Sequence, residues 1–415
     1  MAPMTRRGVL RATGGAALAL PAVALAAGSP ASAQPVASPT ASPSPTPSPT
    51  AVSPIRKPLP PEWFTVFGTN AETRFDALAG TGYYTPNERF FVRNHTATPT
   101  VEVRDWRLRL FGSGLRGAPT LESAVTFTYQ QLLDLPAVTV STAIECAGNG
   151  RSFFTTQQGQ TVSGTAWKLG AVGVARWRGV RLSTVLERAG LSRAAVDLLP
   201  RGLDADFVTG GVNLGRVRRV LPIGKALDDV ILAYGMNGEQ LPPDHGFPVR
   251  LVVPSWIGIA SIKWLGDIEV SATPLASPWD TQYYRLFGPD YPAEGSAPLT
   301  RQVTKSAFEL GWGAQLAAGR THRLTGRSWS GRGAVRKVEV SVDGGSSWRR
   351  AALRDQCGPG RWVRWDLPWR PEQAGAVQLL ARATDSTGTT QPAATPLNTL
   401  GYLFDAVVRH PVTVA

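Results

Sequence analysis

The chain has 415 residues, 43 basic against 30 acidic, so its formal net charge is +13. Hydrophobic residues make up 43% and charged residues 18%, which excludes global disorder and suits two or more folded domains. High Gly and Pro (43 and 34) with 13 Trp favour strands and turns over a helical bundle, and two cysteines cannot build a disulfide framework. No C-x-x-C-H occurs, so no covalently attached haem is expected. Only six basic residues are Lys, and the Arg residues are spread along the chain without a basic tract. The excess charge points to an anionic cofactor, substrate or partner, not to nucleic acid.

The N-terminus carries Arg6-Arg7, an apolar stretch from Gly14 to Ala27 and then Ala31-Ser32-Ala33. This is the layout of a cleavable export signal, residues 1–33, and it is too short to span a bilayer. The paired arginines point to the Tat route, which carries folded proteins; an ordinary Sec signal is the alternative. Residues 34–61 are rich in Pro, Ser and Thr and read as an extended spacer. No later segment is long and apolar enough for a membrane span, so the mature chain is expected outside the cytoplasm, in the periplasm, cell envelope or medium.

From residue 62 the elements alternate. Phe90–Arg93 and Trp106–Phe111 read as strands, Phe127–Leu135 as a short helix, and Val138–Ile144 as a buried strand. Leu182–Ala189 reads as a helix closed by Gly190, and Val249–Val253 and Ser261–Val270 as strands. Together 62–297 form a mixed α+β domain. Residues 298–415 read as an all-β, immunoglobulin-like sandwich, with strand candidates Val335–Val342, Trp362–Leu367, Val377–Thr384 and Leu400–Val408.

Gly112-Ser113-Gly114-Leu115-Arg116-Gly117 matches G-x-G-x-x-G, but no helix pattern follows, so it reads as a turn and not a dinucleotide site. Neither a G-x-S-x-G elbow nor a P-loop is present. Cys146 ends a β-branched run and opens the loop Ala147-Gly148-Asn149-Gly150-Arg151. A buried cysteine is most often inert packing. A nearby guanidinium would instead favour the thiolate, the form needed for a soft metal ligand or a nucleophile. Arg93 and His95 alternate along one strand and can share a face. His245 and Arg250 pair in a second loop, Lys263 lies between hydrophobic residues, and Tyr284 adds a phenol. Such groups suit an anionic cofactor and a small oxyanion.

These segments resemble the sulfite oxidase family of molybdopterin enzymes, which includes plant nitrate reductase. The resemblance rests on F-V-R-N-H (91–95), C-A-G-N-G-R (146–151), M-N-G-x-x-L-P-x-D-H-G-F-P-V-R (236–250) and S-I-K-W-L-G (261–266). T-G-R-S-W-S-G (325–331) and V-E-V-S-V-D-G-G-S-S-W (338–348) resemble the family's dimerisation domain. The resemblance implies that Cys146 is the thiolate bound to molybdenum. It implies that Phe91, Val92, Arg93, Asn94, His95, Asp204, His245, Arg250, Ser261, Ile262 and Lys263 hold the molybdopterin and its phosphate. Arg93, Arg151 and Tyr284 match substrate-pocket residues, where the arginines would neutralise sulfite and sulfate and the phenol would donate a hydrogen bond at the reacting oxygen. The implied reaction is oxygen-atom transfer to sulfite by a homodimer. Electrons would pass to a separate acceptor such as a cytochrome c, since no haem motif or cytochrome b5-like segment is seen. Gly150 stands where the vertebrate family members have Arg, so one cation is missing. The alternatives are an enzyme of the same fold acting on another oxyanion or a sulfoxide, and a non-catalytic envelope protein. Cys357 reads as a structural thiol.

Overall fold

The computed structural model describes residues 53–355 and 358–415. The signal, the spacer up to residue 52, and Cys357 lie outside the described residues. Strands dominate the described residues, and the longest of the α-helical segments among them, Leu182–Arg188, has seven residues. None of these helices is long and apolar enough to cross a membrane.

Two five-stranded sheets, a small three-stranded one and a two-stranded ribbon, Val208–Thr209 with Val212–Asn213, build the first domain. The first has the order Leu221–Pro222, Asp197–Gly202, Leu265–Ser271, Arg107–Phe111, Val125–Thr128. Its one parallel pair joins Leu265–Ser271 to Arg107–Phe111, with Ile268 opposite Leu110. Leu108 and Leu110 alternate inward into a core with Val180, Leu232 and Ile268, as the sequence pattern requires. The second sheet runs Glu239–Gln240, Ile231–Met236, Val172–Arg181, Ala137–Glu145, with Arg250–Val252 also paired to Ile231–Met236. Ala137–Glu145 is thus an edge strand, and it ends at Cys146.

The second domain stacks two sheets. One is Lys305–Phe308, His322–Ser330, Arg361–Trp369, Ala352–Leu353; the other is Ala314–Leu316, Arg409–Val414, Gly375–Asp385, Val335–Ser341, Arg349–Arg350. Val338, Val340, Val363, Trp365, Leu379 and Ala381 fill the space between them.

Four local expectations are corrected. Phe127–Leu135 is not one helix: Val125–Thr128 is a strand and the helix is Tyr129–Leu133. Thr128 decides this, because its hydroxyl accepts the Gln131 N–H while the Gln131 side chain accepts the Thr128 N–H, a capping box that forbids helix upstream. Ser261–Val270 is a strand only from Leu265; Gly258–Ala260 is a 3-10 turn and Trp264 sits at φ +50°. Leu400–Val408 is a loop and the strand is Arg409–Val414. There the Asn398 side chain bonds both the N–H and the carbonyl of Tyr402, and Leu403 adopts φ +54°. Finally, the end of the expected spacer is packed. Ile55 is buried with Phe64, Ala71 and Val92, and the Arg56 and Lys57 N–H groups donate to Asp244. Composition hid this because the attachment is mostly polar: the Lys57 ammonium also bonds the Asn87, Glu88 and Phe90 carbonyls, and the Pro54 carbonyl accepts the Thr98 N–H. Gly112–Gly117 is a turn, as expected, with Gly112 at φ +115° against the Val270 carbonyl.

Candidate active site

The motif residues converge on one cavity. Phe91, Arg93, Asn94, His95, Cys146, Asp204, His245, Arg250, Ser261, Ile262, Lys263 and Tyr284 all line it. Two expected residues do not. Val92 points to the opposite face of its strand, into the small core with Ile55, so it can serve only through its backbone. Arg151 is buried behind the cavity wall: its Nε donates to the Leu400 carbonyl at 2.9 Å, one terminal nitrogen donates to the Thr165 carbonyl at 3.0 Å, and its plane lies over Tyr402.

At one end, a hydrogen-bonded frame fixes the cations. Asn94 and Lys263 are bonded side chain to side chain, and the Lys263 ammonium also donates to the Asp244 carbonyl at 2.8 Å. Arg250 donates to the carbonyls of His245 (3.0 Å) and Ser261 (2.9 Å), while the Ser261 hydroxyl accepts the Val253 N–H. Asp244 holds the frame from behind. Its carboxylate accepts the Arg56 and Lys57 N–H groups and, at 2.6 Å, the Thr98 hydroxyl, which fix it in place. Burial holds the Lys263 ammonium well below its ordinary value, with Arg250 adding repulsion, and pushes Arg250 down to about 9. Burial outweighs the opposing pull of Asp244 and Asp204 on Lys263, and cations desolvated in this way suit an anionic ligand.

The two histidines complete that end. His95 Nε2 lies 3.1 Å from an Arg93 nitrogen and 3.2 Å from the Trp279 indole nitrogen. Both neighbours are obligate donors, so Nε2 accepts and the ring is neutral. Burial and then Arg93 and Lys263 hold His95 well below the usual imidazole range; burial, Lys57 and Lys263 do the same for His245. His245 Nε2 and Asp204 Oδ1 are buried with no hydrogen-bond partner among the described residues. Burial lifts the Asp204 carboxyl to about 6. Orphaned polar atoms facing a cation-lined cavity call for a polar, anionic ligand with several donors and acceptors. A pterin bearing a phosphate has that chemistry, and the residues present fit it.

The other end carries the sulfur. Cys146 is a free thiol, 8% exposed, whose N–H donates to the Ala171 carbonyl and whose carbonyl accepts the Asn149 N–H. Tyr284, at φ +53°, shares the cavity wall; burial raises its phenol above the ordinary value, so it stays protonated and can donate. Its ring stacks on Tyr402 at 5.1 Å, 11° between planes. Gly150 has φ +92°, and a Cβ there would meet Phe404, so a longer residue would be strained in this backbone. Sequence reasoning missed Asp244, which stood inside a quoted motif one residue before His245. It also missed Trp264, which stood inside the quoted S-I-K-W-L-G motif, and Tyr402, which lay in a stretch read as a strand.

One soft thiolate donor and an anion-binding frame facing a shared cavity define an oxidoreductase that carries a metal on an anionic organic cofactor. Comparison with known proteins makes the class specific. Residues 95–279 match the oxidoreductase molybdopterin binding domain and residues 313–414 the Mo-co oxidoreductase dimerisation domain. The chain is 37% identical to sulfite oxidase of Gallus gallus over 344 residues, covering 78% of this chain and 71% of that one. It is 35% identical to mitochondrial sulfite oxidase of Homo sapiens, covering 83% of this chain and 65% of that one. Among solved structures, the sulfane dehydrogenase SoxCD from Paracoccus pantotrophus superposes with a TM-score of 0.69 at 28% identity, covering 83% and 85%. The chain belongs to the sulfite oxidase family and is a molybdopterin-dependent oxidoreductase. It spans 65–71% of the length of the vertebrate sulfite oxidases it matches.

Proposed function

We propose that this protein oxidises sulfite to sulfate, with molybdenum bound by Cys146 and the molybdopterin held by the frame around Asn94, Asp204, His245, Arg250 and Lys263. The observation that carries the reading is that Cys146, Arg93 and Tyr284 line the same cation-bearing cavity. When bound, the cofactor supplies oxygen-atom transfer; overall, sulfite and water give sulfate, two protons and two electrons. Arg93 binds the oxyanion by charge-assisted hydrogen bonds, Tyr284 donates from a phenol kept protonated by burial, and the closed aromatic wall limits water. The electrons go to a separate acceptor such as a cytochrome c. The dimerisation domain supports a homodimer, and the sequence pattern of residues 1–33 supports export through the Tat route. The test is metal content of the purified exported protein with sulfite-dependent reduction of ferricyanide. One molybdenum per chain with turnover is expected; protein without molybdenum from cells that make the cofactor would overturn the reading.

One observation favours a second reading. Arg151 commits its Nε and one terminal nitrogen to backbone carbonyls and does not line the cavity, and Gly150 carries no charge, so the substrate end holds fewer lining cations than the sequence motifs imply. A less highly charged sulfur substrate then becomes competitive, in line with the sulfane dehydrogenase named in the structural comparison. Persulfide-dependent turnover exceeding sulfite-dependent turnover, with molybdenum present, would select it.

A further inference from the structure

The strand that delivers Cys146 has a free edge in its own sheet, and the second domain covers that edge. On one side Ala137–Glu145 pairs along its whole length with Val172–Arg181. On the other, the Ala143 N–H donates to the Gly360 carbonyl at 2.7 Å, and the Thr142 hydroxyl donates to the same oxygen at 2.9 Å. The Gln302 side-chain amide donates to the Ala143 carbonyl at 3.2 Å. These partners belong to the sandwich and the segment entering it. The last contact is charged. The Lys305 ammonium, on the first sandwich strand, lies 2.8 Å from Glu145 Oε1 and 2.7 Å from the Asn149 carbonyl. Glu145 also accepts the Asn149 side-chain amide, whose oxygen in turn accepts the Ala171 N–H. Lys305 and Glu145 are each 2% exposed and Asn149 is fully buried. One ammonium therefore clasps both ends of the turn in which Cys146 sits.

We propose that Lys305 is a positioning residue for the metal-binding thiolate: the first strand of the sandwich, just ahead of the segment matched as a dimerisation domain, fixes the Cys146 turn and neutralises the carboxylate beside it. The inference rests on the reading of Cys146 as the metal ligand only for its electrostatic half. A buried ion pair is a poor source of stability compared with apolar packing, so one held next to a reactive cysteine calls for a local reason. Here the ammonium supplies two. It gives Glu145 a partner that water cannot supply, and it ties Glu145 to the Asn149 carbonyl, so the turn has one arrangement. Removing the ammonium while the carboxylate remains would free the turn and leave negative charge near the sulfur. That charge would favour the oxidised metal.

The experiment compares full-length wild type, Lys305→Met and Lys305→Met/Glu145→Gln by two readouts. The first is hydrogen exchange of the peptide spanning residues 144–152 in cofactor-free protein, which does not depend on the metal assignment. Lys305→Met should speed exchange there about tenfold while the strand Gly375–Asp385 is unchanged. The second is the potential of the loaded protein, read by spectroelectrochemistry. Lys305→Met should lower it by about 59 mV, a tenfold shift in the ratio of oxidised to reduced centre, and the double variant should recover most of the loss. A purely structural lysine would leave single and double variants alike in potential, and that result would overturn the electrostatic half. Unchanged exchange in the turn would overturn the positioning half. If the single variant does not fold, the double variant carries the exchange test, since it leaves no orphaned charge; its turn should still exchange faster than wild type, and equality with wild type would refute the proposal. Absence of molybdenum from wild type would sink the proposed function instead and leave the exchange result standing.

Discussion

The two ends of the cavity are built in opposite ways. The cofactor end is assembled within the first domain from short contiguous motifs, and its polar groups are bonded to each other or to nearby backbone: Lys263 to Asn94, Arg250 to His245 and Ser261, Asp244 to the Arg56 and Lys57 amides. The sulfur end is assembled across both domains. Cys146 is held through Lys305, Tyr284 stacks on Tyr402, and Arg151 is tied to Leu400. The first end is a hydrogen-bonded receptor whose buried cations and two unpartnered polar atoms suit an anionic ligand. The second depends on how the sandwich seats against the first domain, so changes far along the chain can alter it.

The largest expected effect breaks the sulfur end alone. Cys146→Ser removes the soft donor while keeping a side chain of similar size, so turnover should vanish while the melting temperature stays within a few degrees of wild type. Steady-state assay and calorimetry on one preparation check this; full activity would remove Cys146 as metal ligand. Next comes the cofactor end. Lys263→Met removes one charged hydrogen bond to a bound anion, about 1.5–3 kcal/mol, or roughly 10–150-fold in cofactor retention. The same change should leave the cofactor-free protein no less stable, because burial already works against the Lys263 ammonium. Dialysis against chelator, followed by metal analysis and denaturant titration, separates the two effects.

A third pair of variants sharpens the comparison between arginines. Arg93→Gln should raise the sulfite KM by roughly 10–150-fold on the same hydrogen-bond scale. Arg151→Gln should change KM by less, since Arg93 lines the cavity and Arg151 does not. Equal effects would mean that Arg151 turns into the cavity when substrate binds.

That asymmetry between the ends also explains what could be read before any coordinates. The cofactor end was legible because its residues lie close in sequence and their types state their job: Arg93 with His95, His245 with Arg250, Ser261 with Lys263. The strands with strict alternation, such as Arg107–Phe111 and Val335–Ser341, were legible for the same reason of locality. The sulfur end resisted. Lys305 reads as an ordinary polar residue at the start of a strand, and only the meeting of the two domains brings it to Glu145. Tyr402 lay in a stretch whose hydrophobicity suggested a strand, whereas Asn398 and the left-handed Leu403 fold it into a loop whose Leu403 N–H donates to the Ala147 carbonyl. Arg151 follows the cysteine turn in sequence and was expected in the substrate pocket, but a sequence cannot show that backbone carbonyls from residues 165 and 400 hold its Nε and one terminal nitrogen.

The smallest effect concerns Asp204 and tests whether the cofactor end is strained when it holds no anion. Burial raises its folded-state pKa from 3.8 to about 6, with Lys263 and Arg216 only partly opposing the shift. In the cofactor-free protein the folded state therefore binds the proton more tightly than the unfolded chain. Its contribution to stability is fully present below pH 3.8 and is lost as pH rises through 6, amounting to at most about 3 kcal/mol across that window. Asp204→Asn cannot ionise, so it should flatten this part of the stability profile while leaving the rest unchanged. Denaturant titrations of wild type and variant from pH 4 to 7, on protein stripped of cofactor, give the difference directly. A variant profile that falls as steeply as wild type would show that Asp204 is solvated in the empty cavity, and the frame would then be looser there than its hydrogen bonds imply.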